Sequence, residues 1–260
     1  MSELLVAAAL SIAGLMVLTW LVSLVVADVS IVDMVWGLGF VVAVWAAFLT
    51  AGEPLARGVL AAVLVTVWGL RLTAYLVWRN LGEPEDYRYQ AMRRRRPGSF
   101  WIISLFQVFA LQGVLMWVVA LPPVLSQGSG SGLNALDFLG VLVFAVGLFF
   151  ETAGDYQLAR FKADPDSKGK VMDRGLWRYT RHPNYFGDFC VWWGIFLVAA
   201  AGGLWWTVFS PIVMSILLLR VSGVALLEKT IQRRRPEYAD YAARTNAFFP
   251  GPPKDVSSDS

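Results

Sequence analysis

Seven apolar runs, each bounded by charged or turn-forming residues, make up most of this chain. They cover residues 4–27, 31–51, 55–78, 100–124, 136–158, 185–201 and 204–227. Each has about the ~20 residues with which an α-helix crosses a hydrocarbon core. The polar residues between them alternate in character. The segment after the third run carries Arg79, Arg88 and the arginines at 93–96. The segment after the fifth carries Arg160, Lys162, Lys168, Lys170, Arg174, Arg178 and Arg181. The tail after the seventh carries Lys229, Arg233, Arg234, Arg235, Arg244 and Lys254. The intervening loops hold Arg57, and Gly and Ser across 127–132. Basic loops stay on the cytoplasmic side. The pattern therefore predicts an all-α polytopic membrane protein of seven transmembrane helices, N-terminus outside and C-terminus cytoplasmic. Runs six and seven meet around Gly202 and Gly203, which predicts a tight helical hairpin. Residues 251–260, of Gly, Pro, Ser and Asp character, are expected to be a disordered tail.

Composition sharpens this picture. The chain has 260 residues, is 57% hydrophobic and has a mean hydropathy of +0.56, too apolar for an ordinary soluble domain. The net charge of +3 comes from basic residues that flank the apolar runs, so nucleic acid is not an expected partner; the lipid bilayer is. One cysteine, Cys190, excludes a disulfide framework and a cysteine-based metal site. The single histidine offers no persuasive metal set, and none is expected. Glu3 stands where a cleaved signal would carry positive charge, so the first run is expected to be a retained span. No glycine-rich dinucleotide fingerprint or phosphate-binding loop is present.

Charged residues inside or beside the apolar runs are the candidates for chemistry. A charge deep in a span costs ~2.5–3.5 kcal/mol on insertion scales, so it turns toward a cavity or the bundle interior. Asp28, Asp33, Arg71, Glu151, Asp155, Arg220 and Glu228 all fall toward the same end of their runs, as the rim and floor of one cytoplasm-facing cavity would. At ~100° per residue, Glu151, Asp155 and Lys162 share a helix face. Two acceptors followed by a cation suit the ribose and phosphate of a nucleotide; an interhelical ion-pair network with Arg220 uses the same groups.

The fourteen residues from Gly175 to Asp188 concentrate Arg178, Arg181, His182, Asn184, Tyr185 and Asp188. Pro183 disfavours helix at His182 and suits the first turn of a new one, which sets a helix N-terminus beside two arginines. Such a terminus accepts an anion, and phosphate is the obvious one; a basic loop that only orients the chain has the same composition. After Glu228, Tyr238 and Tyr241 lie at i, i+3 among arginines. They could cap a nucleotide by stacking, or line an amphipathic helix on anionic lipid.

The string from Trp177 through Arg181-His-Pro-Asn-Tyr-Phe-Gly-Asp188 resembles the C-terminal signature of membrane steroid 5-alpha-reductases and of the related sterol C14 and delta-7 reductases. Isoprenylcysteine carboxyl methyltransferases share a looser form. The likeness reaches back to Glu151, Asp155 and Tyr156 and forward through Arg220 and Glu228 to Tyr238 and Tyr241. Bacterial 5-alpha-reductase-like proteins are the group most similar, with 30–37 and 68–89 as further points of likeness. The resemblance implies one integral membrane domain, residues 1–130 mainly walling a substrate cavity and 131–250 binding NADPH. It implies reduction of a carbon–carbon double bond conjugated to a ketone in a steroid or sterol-like lipid. Glu151, Asp155, Lys162, Asn184, Arg220 and Glu228 fall at cofactor-contacting positions, with Tyr185 and Asp188 beside Asn184. Arg178, Arg181 and His182 are then phosphate neighbours. For the substrate carbonyl, the family's acid matches Asp33, and its tyrosine matches Tyr75 or Tyr87. A monomer in a prokaryotic plasma membrane is expected. The alternative is an S-adenosylmethionine-dependent methyltransferase acting on a lipid or lipidated thiol; a transporter is disfavoured because no internal repeat is seen.

Overall fold

The computed structural model describes residues 1–53, 55–130, 132–221, 224, 228, 231 and 237–254. Every regular element among them is helical: α1 (Ser2–Val26), α2 (Ile31–Met34), α3 (Trp36–Ala51), α4 (Ala56–Asn80), α5 (Tyr87–Arg95), α6 (Phe100–Val119), α7 (Leu121–Leu125), α8 (Ala135–Ala163), α9 (Pro183–Ala201), α10 (Trp205–Arg220) and α11 (Tyr238–Arg244). By length and composition α1, α4, α6, α8 and α9 are long enough to cross a membrane, and α3 and α10 are shorter apolar helices. The second run is interrupted: α2 ends at Met34, α3 begins at Trp36, and Asp33 therefore lies on a single turn ahead of the apolar helix. The seventh run is described only as far as 221 plus 224, and Lys229, Arg233, Arg234 and Arg235 lie outside the described residues.

The chain divides into two compact units, Met1–Phe138 with Ile195–Ser210, and Leu139–Gly194 with Pro211–Ser260. The first is built around α3. Gly37 and Gly69 let α3 and α4 touch backbone to backbone: a Cβ on Gly69 would lie 2.6 Å from the Gly37 carbonyl oxygen. Just beyond that crossing the Phe40 ring meets Trp68 edge-on at 5.5 Å, and both side chains are fully buried. With no hydrophobic drive between helices in lipid, such close packing of small residues is what holds them together. At the start of α4, Arg57 is wholly buried. Its guanidinium grips Asp137 through two 2.9 Å hydrogen bonds and the Gly132 carbonyl at 2.7 Å. The one basic residue of the Lys/Arg-poor loops is thus matched by a carboxylate. Removing either partner alone would strand a buried charge, at ~3–5 kcal/mol.

The second unit rests on a glycine seam. Gly140, Gly147 and Gly154 of α8 recur every seven residues, and Gly187 and Gly194 of α9 do the same. A Cβ on Gly194 would meet the Gly140 carbonyl at 2.6 Å, and one on Gly147 the Gly187 carbonyl at 2.6 Å. The seam brings α8 and α9 together beside Glu151 and Asp155. Of the tail expected to lack structure, Gly251 donates its N–H to the Tyr179 carbonyl (3.1 Å) and Lys254 to the Arg244 carbonyl (2.8 Å). Residues 255–260 lie outside the described residues.

Candidate functional site

In the first unit, Asp33 meets three side chains. The Tyr89 hydroxyl donates to Asp33 Oδ1 at 3.1 Å, Gln112 Nε2 donates to the same oxygen at 3.1 Å, and Arg88 Nη2 reaches Oδ2 at 3.2 Å. The segment that carries Tyr89 is locked to the α1–α2 turn. Glu85 accepts from the Val29 N–H and pairs with Arg93, and the Asp86 N–H donates to Ser30 Oγ. Asp86 then caps α5 by accepting from the Arg88 N–H.

The electrostatics of this cluster divide its two carboxyls. Burial pushes the Asp33 carboxyl above its usual range, against the lowering pull of Arg88, Gln112 and Tyr89. Asp86 is held below its ordinary value although burial opposes this, because Arg88 hydrogen-bonds and pairs with it. Burial and the neighbouring Asp33 raise the Tyr89 hydroxyl well above its ordinary value, so it stays a donor. The Gln112 Oε1 atom is buried with no hydrogen-bond partner.

The tyrosine that meets Asp33 is Tyr89, and neither Tyr75 nor Tyr87 makes that contact. Tyr75 lies under the guanidinium groups of Arg71 (5.4 Å) and Arg79 (5.5 Å), and Tyr87 is 58% exposed. The reason is helical phase. Two residues on α5 turn the chain by ~200°, so Tyr87 and Tyr89 point to opposite sides. Gln112, on α6, gives no signal in the sequence, because a lone amide in an apolar run has no spacing partner.

In the second unit, Glu151 and Asp155 are buried on α8. Asn184, in the first turn of α9, donates Nδ2 to Asp155 Oδ1 at 3.1 Å, while its own Oδ1 is buried without a hydrogen-bond partner. Gly154 makes this possible, since a Cβ there would sit 3.1 Å from the Asn184 nitrogen. The His182 carbonyl accepts from the Phe186 N–H at 3.0 Å, so α9 starts where Pro183 predicts. Tyr185 lies against the His182 ring, with centroids 5.8 Å apart. Asp188 follows one turn along α9 from Asn184.

Two cations of the 175–188 stretch lie beside a carboxylate. Arg181 Nε and His182 Nε2 both face Glu228 Oε1, at 3.3 and 3.1 Å, so the acceptor beside them is a side-chain carboxylate. His182 and, less strongly, Arg181 hold the Glu228 carboxyl below its usual range. Arg178 and Lys162 are exposed, as is Arg220, which meets no carboxylate among the described residues.

The C-terminal segment is buttressed against the same stretch. The Tyr241 hydroxyl donates to the Trp177 carbonyl at 2.6 Å, and Trp177 Nε1 to the Gly154 carbonyl at 3.1 Å. The Thr180 hydroxyl donates to the Phe248 carbonyl at 2.7 Å, and the Arg181 N–H to the Asn246 carbonyl at 2.9 Å. Burial, and the carboxylate of Glu228, push the Tyr238 hydroxyl up to about 12. Tyr238 and Tyr241 are both buried.

The model of the family described as "Protein of unknown function (DUF1295)" matches residues 19–245. An uncharacterized protein of Schizosaccharomyces pombe is 27% identical over 223 residues, 75% of this chain and 63% of that protein. A probable O-methyltransferase of Ustilaginoidea virens is 33% identical over 106 residues, 40% of this chain and 37% of that protein. The chain thus spans less than two thirds of either relative's length. No solved structure matches significantly.

Proposed function

The chain belongs to the DUF1295 family, and from that premise we propose that it is a membrane-embedded, NADPH-dependent reductase. Its substrate class is an enone within a steroid or sterol-like lipid. The contact between the Tyr89 hydroxyl and Asp33 carries this proposal. The family's likeness to the steroid 5-alpha-reductase-like superfamily supports it.

Reduction of a conjugated double bond needs hydrogen-bond donors at the carbonyl oxygen, where negative charge develops. A carboxyl whose surroundings favour the protonated form is such a donor, and a tyrosine hydroxyl that does not ionise is a second. Burial moves Asp33 toward that state against the pull of Arg88, and keeps the Tyr89 hydroxyl protonated. Gln112 holds the carboxyl by donating to Oδ1, and Arg88 anchors Oδ2 to the Asp86 cap. The substrate's α-carbon then takes a proton from water.

NADPH, if bound, would supply the hydride that this reduction needs. The polar groups of the second unit would hold it: the unpartnered Asn184 Oδ1 and the buried carboxylates Glu151 and Asp155 would accept from its carboxamide or ribose hydroxyls. Exposed Lys162 and Arg178 suit phosphates, with Tyr185, Asp188, Arg181, His182 and Glu228 around them. The cytoplasm of a prokaryotic cell is the proposed source of the nucleotide, and the bilayer that of the lipid.

The second reading is methyl transfer from S-adenosylmethionine to a lipid, and the O-methyltransferase relative favours it. One experiment separates the two. Purified protein in detergent is heated with NADPH, NADH or S-adenosylmethionine. A ligand at ~1,000 times its Kd stabilises the fold by ~4 kcal/mol. Selective stabilisation by NADPH, followed by loss of its absorbance on adding enone steroids, supports the reductase. Stabilisation by S-adenosylmethionine alone transfers the protein to the methyltransferases.

A further inference from the structure

We infer that the second unit holds a bilayer phospholipid with an anionic headgroup, its acyl chain in a groove along α10 and its phosphate on Arg220. The groove has a volume of about 540 Å³ and is walled by Phe189 and Trp193 of α9 and by Ile212, Ile216 and Leu219 of α10. Its floor is fixed: Trp193 Nε1 donates to Ser215 Oγ at 3.3 Å, and the Ser215 hydroxyl donates to the Pro211 carbonyl at 2.6 Å. Apart from this pair and Arg220, the side chains that line the groove are hydrocarbon or ring face. From Ile212 to Arg220 the helix rises ~12 Å at ~1.5 Å per residue, a length suited to part of an acyl chain.

Charge selects the occupant. Arg220 closes the apolar stretch of α10, lines the same groove, is exposed and meets no carboxylate among the described residues. A π-helical turn over Leu217–Val221 widens the helix where Arg220 leaves it. An arginine at the end of a membrane helix seeks the interface, where anionic headgroups are its natural partners. A neutral lipid would fill the groove and leave the guanidinium unpaired; a free anion would pair with it and leave the groove bare. An acidic phospholipid satisfies both.

The test compares dioleoyl phosphatidylglycerol with dioleoyl phosphatidylcholine, which share chains and differ in headgroup charge. Each is titrated into delipidated protein in detergent, and binding is read by native mass spectrometry and by the shift in unfolding temperature. The expected result is preferential binding of phosphatidylglycerol. Arg220→Gln lowers that preference about fivefold, the equivalent of ~1 kcal/mol per interfacial cation, and Arg220→Lys keeps most of it. Ile216→Trp, which fills the groove without touching the charge, weakens both lipids. Equal binding of the two lipids by the unmodified protein, or an unchanged preference in Arg220→Gln, overturns the inference. NADPH stabilisation is measured on the same samples. If Arg220→Gln abolishes it while leaving the lipid preference intact, Arg220 belongs to the nucleotide and the lipid site is refuted. Failure of NADPH to stabilise even the unmodified protein would sink the reductase proposal and leave the lipid result standing.

Discussion

The Tyr89 hydroxyl lies 3.1 Å from Asp33 Oδ1, across 56 residues of sequence, on a segment tied to the α1–α2 turn by Glu85 and Asp86. The tyrosine's segment and the turn that carries the carboxyl are therefore tied together by three hydrogen bonds. Arg88 and Gln112 complete the set, so Asp33 has a fixed orientation before any ligand arrives.

Asp33→Asn tests both chemistry and electrostatics. Because burial raises the folded-state pKa of Asp33, the folded chain binds its proton more tightly than the unfolded chain. Ionisation therefore opposes folding once pH rises above the unfolded value, ~3.9, and the full penalty is felt above the folded one. Asp33→Asn is expected to raise the unfolding temperature at pH 7 relative to the parent, with the difference shrinking as pH falls toward 4. Enone reduction should fall ~10²–10³-fold, the usual loss for one oxyanion donor, while NADPH stabilisation persists. Tyr89→Phe should lose activity on the same scale, whereas Tyr87→Phe should not. Turnover that survives in Asp33→Asn removes that residue from the mechanism.

Glu228 has the opposite sign. Its folded-state pKa is lowered by His182 first and Arg181 next, so its contribution is present above the unfolded value, ~4.3, and is lost as pH falls through the folded one. Glu228→Gln should therefore be less stable than the parent at pH 6, and the two should converge in acid. Melting curves between pH 3 and 6 measure this; a constant difference across that range would mean that charge plays no part in the cluster.

The glycine seam sets the spacing of the second unit's polar groups. A methyl on Gly187 would press on the Gly147 carbonyl at 2.6 Å and on Glu151 Cβ at 2.7 Å. Gly187→Ala should cost ~1–3 kcal/mol by overpacking, and should weaken nucleotide stabilisation because Glu151 and Asn184 are pushed apart. Gly14, in the middle of α1, has nothing within 4 Å of its Cβ direction, so Gly14→Ala should instead gain ~0.5–1 kcal/mol. Unfolding temperatures of the pair decide it: shifts of the same sign would mean that the seam is not a close contact.

The sequence by itself determined that the chain is helical and membrane-embedded, and where α9 begins. Runs of apolar residues dictate spans whatever they pack against, and Pro183 acts through its own ring. It also singled out Asp33, Glu151, Asp155 and Asn184, because an ionisable or amide group at the edge of an apolar run is costly enough to need a reason. Only the tertiary structure decided their partners. Tyr89 rather than Tyr75 or Tyr87 meets Asp33 because a hydrogen bond depends on helical phase and on a loop anchored 56 residues away. Arg181 and His182 turned to Glu228 because two cations in a basic loop take the nearest carboxylate that folding delivers. Arg57, which read as a lone loop charge, is wholly buried against Asp137, 80 residues on, for the same reason. Composition and periodicity are properties of neighbours along the chain, whereas pairing is a property of neighbours in space.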